Sequence, residues 1–132
     1  MGSDRFDKLR DLKKEPPLDD ELKGLLQSGL RRLADADHAE LSYYSRFDLA
    51  YNAAHAFALY ALRRKGYRSD KRYLVFQLLE DTAGLEQPLI RVLSKAHEIR
   101  NETEYRGYME EDEQLLRDML SIAKKLAELI QK

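Results

Sequence analysis

Three prolines in 132 residues, Pro16, Pro17 and Pro88, all stand where a helix can begin or stop, so long stretches are free to remain helical. Across those stretches apolar residues recur at three- and four-residue spacing, the period of an amphipathic helix. A first core helix is predicted over 18–41, with Asp19, Asp20 and Glu21 complementing the macrodipole and a stripe of Leu22, Leu25, Leu26, Leu30 and Leu33. A second, over 45–65, stops at Gly66 and turns Phe47, Tyr51, Ala54, Ala58 and Ala61 inward, where its alanines imply a close neighbouring helix. A short helix over 73–82 is apolar on most sides (Leu74, Val75, Phe76, Leu78, Leu79) and is expected to be buried, with Gly84 ending it. The fourth starts near Glu86 with Pro88 in its first turn. A linker around Arg106, Gly107 and Tyr108 leads to a last helix over 110–131, striped by Leu115, Leu116, Met119, Ile122, Ala123, Leu126 and Ile130. The expected fold is all-α, an up-and-down bundle of about five helices over 18–132. Residues 1–17 are expected to be a peripheral segment with a short, marginal helix over 4–15.

The length fits a single core. Lys and Arg number 23 against 24 Asp and Glu, so the whole chain exerts no bulk attraction on nucleic acid or anionic lipid, and an RNA site would have to be local. The one concentrated positive stretch is Arg63-Arg64-Lys65-Gly66-Tyr67-Arg68-Ser69-Asp70-Lys71-Arg72, either a solvated turn or part of an anion-binding surface. The absence of cysteine excludes disulfides, thiolate nucleophiles and Cys-type zinc sites together. Met1-Gly2-Ser3-Asp4-Arg5 lacks the apolar run of a signal peptide, and no stretch approaches the roughly 18 apolar residues that span a bilayer. The expectation is a soluble, cytoplasmic protein. No P-loop, nucleophile elbow or dinucleotide glycine pattern is present, so no cofactor is expected.

Arg100 is the anomaly. At 100° per residue, Leu89, Val92, Leu93, Ala96 and Ile99 fall within roughly 120° of one another, and Arg100 lands inside that arc. A guanidinium stays charged at any accessible pH, so a carboxylate, a phosphate or a cleft must meet it. Candidate partners lie on the second helix, where Asp48, Asn52 and His55 share one face at i, i+4 and i+7. Either this face borders solvent, or Asp48 and Asn52 orient Arg100 across a helix pair. His97, one turn before Arg100, is a candidate for the same cleft or a packed histidine. His38, in Asp35-Ala36-Asp37-His38-Ala39-Glu40, has a carboxylate at i−3 but no second histidine at i+4, a poor metal site, so no metal is expected.

The stretch Ser45-Arg46-Phe47-Asp48-Leu49-Ala50-Tyr51-Asn52-Ala53-Ala54-His55, the basic turn, and Ile99-Arg100-Asn101-Glu102-Thr103-Glu104-Tyr105 together resemble HEPN-domain proteins over about residues 20 to 130. The resemblance implies a helical bundle that forms a homodimer with its arginine-bearing helices face to face. Many members are small prokaryotic ribonuclease toxins or partners of a minimal nucleotidyltransferase. The family's nuclease motif joins an arginine, often followed by a polar residue, to a histidine within the next two turns. Here Arg100 and Asn101 fit, but Tyr105 and Arg106 stand where the histidine is wanted, and none follows His97. Tyrosine is a poor general base at neutral pH.

Three readings remain. One is a non-catalytic or weakly active dimeric module holding a nucleotide or RNA phosphate between subunits with Arg100, Asn101, Asp48, Asn52 and His97. Its partner would be a nucleotidyltransferase or antitoxin, with Tyr105 and Tyr108 as modification candidates. Another is a metal-independent ribonuclease toxin in which Arg100 stabilises the transition state and Tyr105 or His97 replaces the histidine. The third is a structural dimer whose Arg100 only pairs with Asp48 or Glu104.

Overall fold

The structure, a computed structural model, describes Phe6 and residues 9–132. Among the described residues, six helices with full bounds form a bundle: α1 (Asp19–Ala36), α2 (Tyr43–Arg64), α3 (Arg72–Gln77), α4 (Leu79–Ala83), α5 (Gln87–Arg106) and α6 (Glu113–Ile130). Two short strands, β1 (Lys13–Lys14) and β2 (Tyr67–Arg68), pair antiparallel with Lys13 opposite Arg68.

The centre is α2, packed mainly against α1 and α6. Ser42 caps it by accepting a hydrogen bond from the Ser45 amide at 3.1 Å. Ala50, Tyr51, Ala53, Ala54, Phe57, Ala58, Ala61 and Leu62 are fully buried, so neighbours cover this helix on most of its circumference. The small residues permit that approach. Gly29 of α1 lies so close to Phe57 that a Cβ there would stand 2.4 Å from its Cε1.

Helix α1 ends earlier than expected, at Ala36, because Arg46 Nε donates to the Ala36 carbonyl at 2.8 Å and the chain turns into α2. Its leucine stripe is also shallower than the periodicity implied. Leu33 is buried, but Leu22, Leu25 and Leu26 are only half-buried and Leu30 is 38% exposed, since α1 packs chiefly against one neighbour, α2, and only slightly against α6. The short buried helix is in fact two, α3 and α4, separated at Leu78. At the end of α5, Gly107 takes φ +80°, a left-handed cap that suits glycine, and its N–H bonds the Thr103 carbonyl at 2.8 Å. Asp112 then caps α6 through the Leu115 amide at 3.0 Å, and all seven residues of the expected α6 stripe are buried.

Of the expected 4–15 helix, residues 4, 5, 7 and 8 lie outside the described residues, Phe6 is helical, and the later part turns and enters β1 instead of continuing as helix. Phe6 and Leu12 are buried in the core, with Phe6 edge-on to Tyr67 at 4.9 Å, so this segment contributes packing. It also helps to neutralise the basic turn. Arg63 is completely buried, donating to Glu21 through Nε and Nη2 and to the carbonyls of Glu15, Pro16 and Tyr67 at 2.8 to 3.0 Å. Arg68 pairs with Glu15 and Glu21. The stretch is therefore not a free positive patch: two of its arginines staple the N-terminal segment to α2 and β2. No helix among the described residues is long and apolar enough to cross a membrane.

Candidate functional site

Arg100, on the fourth turn of α5, meets α2 at the ring of Tyr51. Its guanidinium carbon lies 5.1 Å from the ring centroid, Nε is 3.6 Å from Asp48 Oδ1 and Nη1 is 3.5 Å from Glu104 Oε1. These are ion-pair separations, too long or too poorly aimed for hydrogen bonds. Nε is buried without a hydrogen-bond partner, while the side chain as a whole keeps 29% of its exposure.

A second guanidinium shares the ring. Arg72, at the start of α3, has its guanidinium carbon 5.5 Å from the Tyr51 centroid and donates through Nη1 to Asn52 Oδ1 at 3.0 Å. Asn52 therefore orients Arg72, not Arg100, and its own amide group donates back to the Asp48 carbonyl at 2.8 Å. The partner expected of Asn52 was the wrong arginine, because the sequence does not say which helix closes over that end of α2.

The Tyr51 hydroxyl is 2.9 Å from His97 Nδ1, and His97 Nε2 is 3.1 Å from the Asn101 amide nitrogen. With Asn101 donating, Nε2 accepts, so Nδ1 carries the proton and donates to the Tyr51 oxygen. Burial, with the charges of Arg100 and Arg72, holds the His97 pKa below its ordinary value, in keeping with this neutral form. Burial raises the Tyr51 pKa despite the opposing pull of Arg72 and Arg100. His55, edge-on to Phe76 at 5.9 Å, is pushed down to about 4, first by burial and then by Arg72, His97, Arg100 and Arg32.

The fold thus gathers Arg100, Asn101, His97 and Asp48 around Tyr51, and adds Arg72 through Asn52. Tyr105, 92% exposed, borders a groove with Asn101 and Glu104 but makes no hydrogen bond, ion pair or ring contact with this cluster among the described residues. Tyr108, 55% exposed, lies under Arg106 at 5.0 Å. The His38 ring bonds Glu40, at 2.9 Å on the surface, and no group of three or more His, Asp or Glu among the described residues is placed to hold a metal ion.

Sequence reasoning missed two members. Tyr51 reads as core, which it also is, and Arg72 reads as one charge in a basic turn. The signal for Arg72 was the polar track of Asp48, Asn52 and His55 along α2, which calls for a cationic neighbour. Chemically, the cluster sets two permanent cations, Arg100 and Arg72, beside two carboxylates in ion-pair range of Arg100, the half-exposed Asp48 and the exposed Glu104, none of which closes a hydrogen bond with the Arg100 guanidinium. Comparisons with protein-family models, curated proteins and solved structures give no match to this chain.

Proposed function

We propose that this chain is a HEPN-like dimeric module that binds the phosphate of a nucleotide or RNA at Arg100, with Arg72 beside it, in a cleft between two copies. One observation carries the reading. Arg100 has five N–H donors and gives a hydrogen bond to none of the described residues, although it sits within ion-pair range of Asp48 and Glu104 and beside a second guanidinium. An arginine that only served a salt bridge would be expected to donate into it, as Arg63 does into Glu21. A phosphate offers the bidentate partner this fork lacks.

Binding is favoured over efficient cleavage because His97 is held from both sides. Its Nε2 lone pair already accepts from Asn101, so acting as a base requires that amide to swing away. A ribonuclease reading, if it holds, runs through His97 rather than Tyr105, since His97 is the group that shares the Tyr51 ring with Arg100. In the binding reading, Tyr105 and Tyr108 stay open to modification by a nucleotidyltransferase partner, and an antitoxin is the other candidate partner.

The test is fluorescence anisotropy with single-stranded RNA and with a mononucleotide, without metal, for the wild-type chain and Arg100→Ala. Losing one charge-assisted contact should weaken binding by about 10- to 100-fold. Arginine-dependent cleavage of the RNA would replace the binding reading with the nuclease one. Absence of binding, with Arg100→Ala only lowering the melting temperature, would leave a structural ion pair.

A further inference from the structure

His55 extends the polar track of α2 beyond Asp48 and Asn52 and opens onto a cavity of about 330 Å³ between α2, β2 and the start of α3. The volume is in the range of small-molecule sites. His55 is half-buried, yet its ring nitrogens have no hydrogen-bond partner among the described residues, and its one packing contact of note is the Phe76 ring. A neutral imidazole in that position offers one donor and one acceptor. Beside it, the buried Ser69 accepts from the Lys71 amide at 3.1 Å through Oγ, which leaves its own O–H to donate. Leu59 supplies an apolar wall.

The charges of the lining are balanced. Lys13 and Arg72 line it together with Asp11 and Asp70, while Arg68 is already engaged by Glu15 and Glu21. A bare dianion gains little there. A flat, neutral, hydrogen-bonding ring carrying hydroxyl groups gains more: the imidazole and the serine match a ring edge, and the two carboxylates accept from sugar hydroxyls. Arg72 connects this cavity to the Tyr51 cluster, since it lines the one and stacks on the other. From Asp48, beside Arg100, to His55, beside the cavity, the helix rises about 10 Å at 1.5 Å per residue.

We propose that the cavity beside His55 is the base and ribose subsite for a nucleotide unit whose phosphate lies against Arg72 and Arg100. This rests on the phosphate-binding reading above and names what else of the ligand is held. The nucleotide is either free or part of an RNA chain, and both present the same base, ribose and phosphate.

The experiment titrates the full chain by calorimetry with inorganic phosphate, the four ribonucleosides, their 5′-monophosphates and a short single-stranded RNA, for wild type, His55→Ala, Leu59→Trp and Arg100→Ala. The expected result is a monophosphate or RNA that binds at least about tenfold more tightly than inorganic phosphate, with His55→Ala and Leu59→Trp removing that advantage and leaving phosphate affinity intact. Arg100→Ala should weaken inorganic phosphate and nucleotide alike. His55 dependence with monophosphates identifies a free nucleotide, and dependence with RNA alone identifies a chain; either upholds the subsite. If phosphate binds through Arg100 and the base adds nothing, the subsite is overturned while the phosphate site stands. If a nucleoside binds through His55 and phosphate does not bind, the phosphate reading falls and the subsite survives as a nucleoside site. Should His55→Ala fail to fold, Ser69→Ala replaces it, and melting curves of each variant are the control.

Discussion

Replacing His55 with glutamine should flatten the acid limb of this protein's stability curve. In the folded chain the His55 pKa is about 4, against about 6.5 for an exposed histidine, because the ring is desolvated and Arg72, His97, Arg100 and Arg32 oppose its charge. The unfolded chain therefore takes up a proton at His55 that the folded chain refuses, between about pH 6.5 and pH 4. Stability on this account is fully present above about pH 6.5 and falls as the pH is lowered toward the folded value. Integration of that difference gives a loss of about 2 kcal/mol at pH 5 and about 3 kcal/mol at pH 4. Urea unfolding of wild type and His55→Gln, at about pH 7.5 and about pH 5, isolates this share, because the carboxylates titrate equally in both and cancel. The wild type should lose about 2 kcal/mol more than the variant over that interval. Equal losses would refute the reasoning and mean that His55 is protonated in the folded state, with its ring open to solvent or to an acid.

Arg63→Ala should destabilise the chain by about 3 to 5 kcal/mol in thermal or urea unfolding, because it removes the buried guanidinium that bonds Glu21 and three carbonyls, leaving Glu21 with Arg68; a loss under about 1 kcal/mol would contradict the staple. Gly29→Ala should cost about 1 to 3 kcal/mol, since its Cβ would meet Phe57 at 2.4 Å, whereas Gly24→Ala, with nothing within 4 Å, should gain up to about 1 kcal/mol from helix propensity. Calorimetric melting curves of the two variants separate packing from propensity by sign. Tyr105→Phe should leave the melting temperature unchanged, as expected of a side chain 92% exposed; a marked drop would mean that Tyr105 packs in the folded protein.

Local pattern carried the helices well. The α6 stripe is legible because every buried position follows the 3.6 period and one broad face meets the core, and the placing of Pro88 and Gly107 marks both ends of α5. The α1 stripe is misleading for the opposite reason. The same leucine spacing is compatible with full or partial cover, and α1 has one principal neighbour, so Leu30 stays exposed. The basic turn shows the limit for charges. Adjacent arginines look alike in sequence, but Arg63 is buried under the N-terminal segment, Arg68 is paired with Glu15 and Glu21, and Arg72 reaches Asn52.

What the sequence determined by itself was a helical chain with a permanent cation on an apolar stripe, because helix period and the unalterable charge of arginine are local properties. That Arg100 shares the Tyr51 ring with Arg72, that His97 is held between Tyr51 and Asn101, and that His55 faces a cavity were decided only by tertiary packing. Residues separated by tens of positions meet there through the way α3 and α5 close over α2. Such long-range distances set both desolvation and the choice of electrostatic partner, and the spacing of residues along one helix does not contain them.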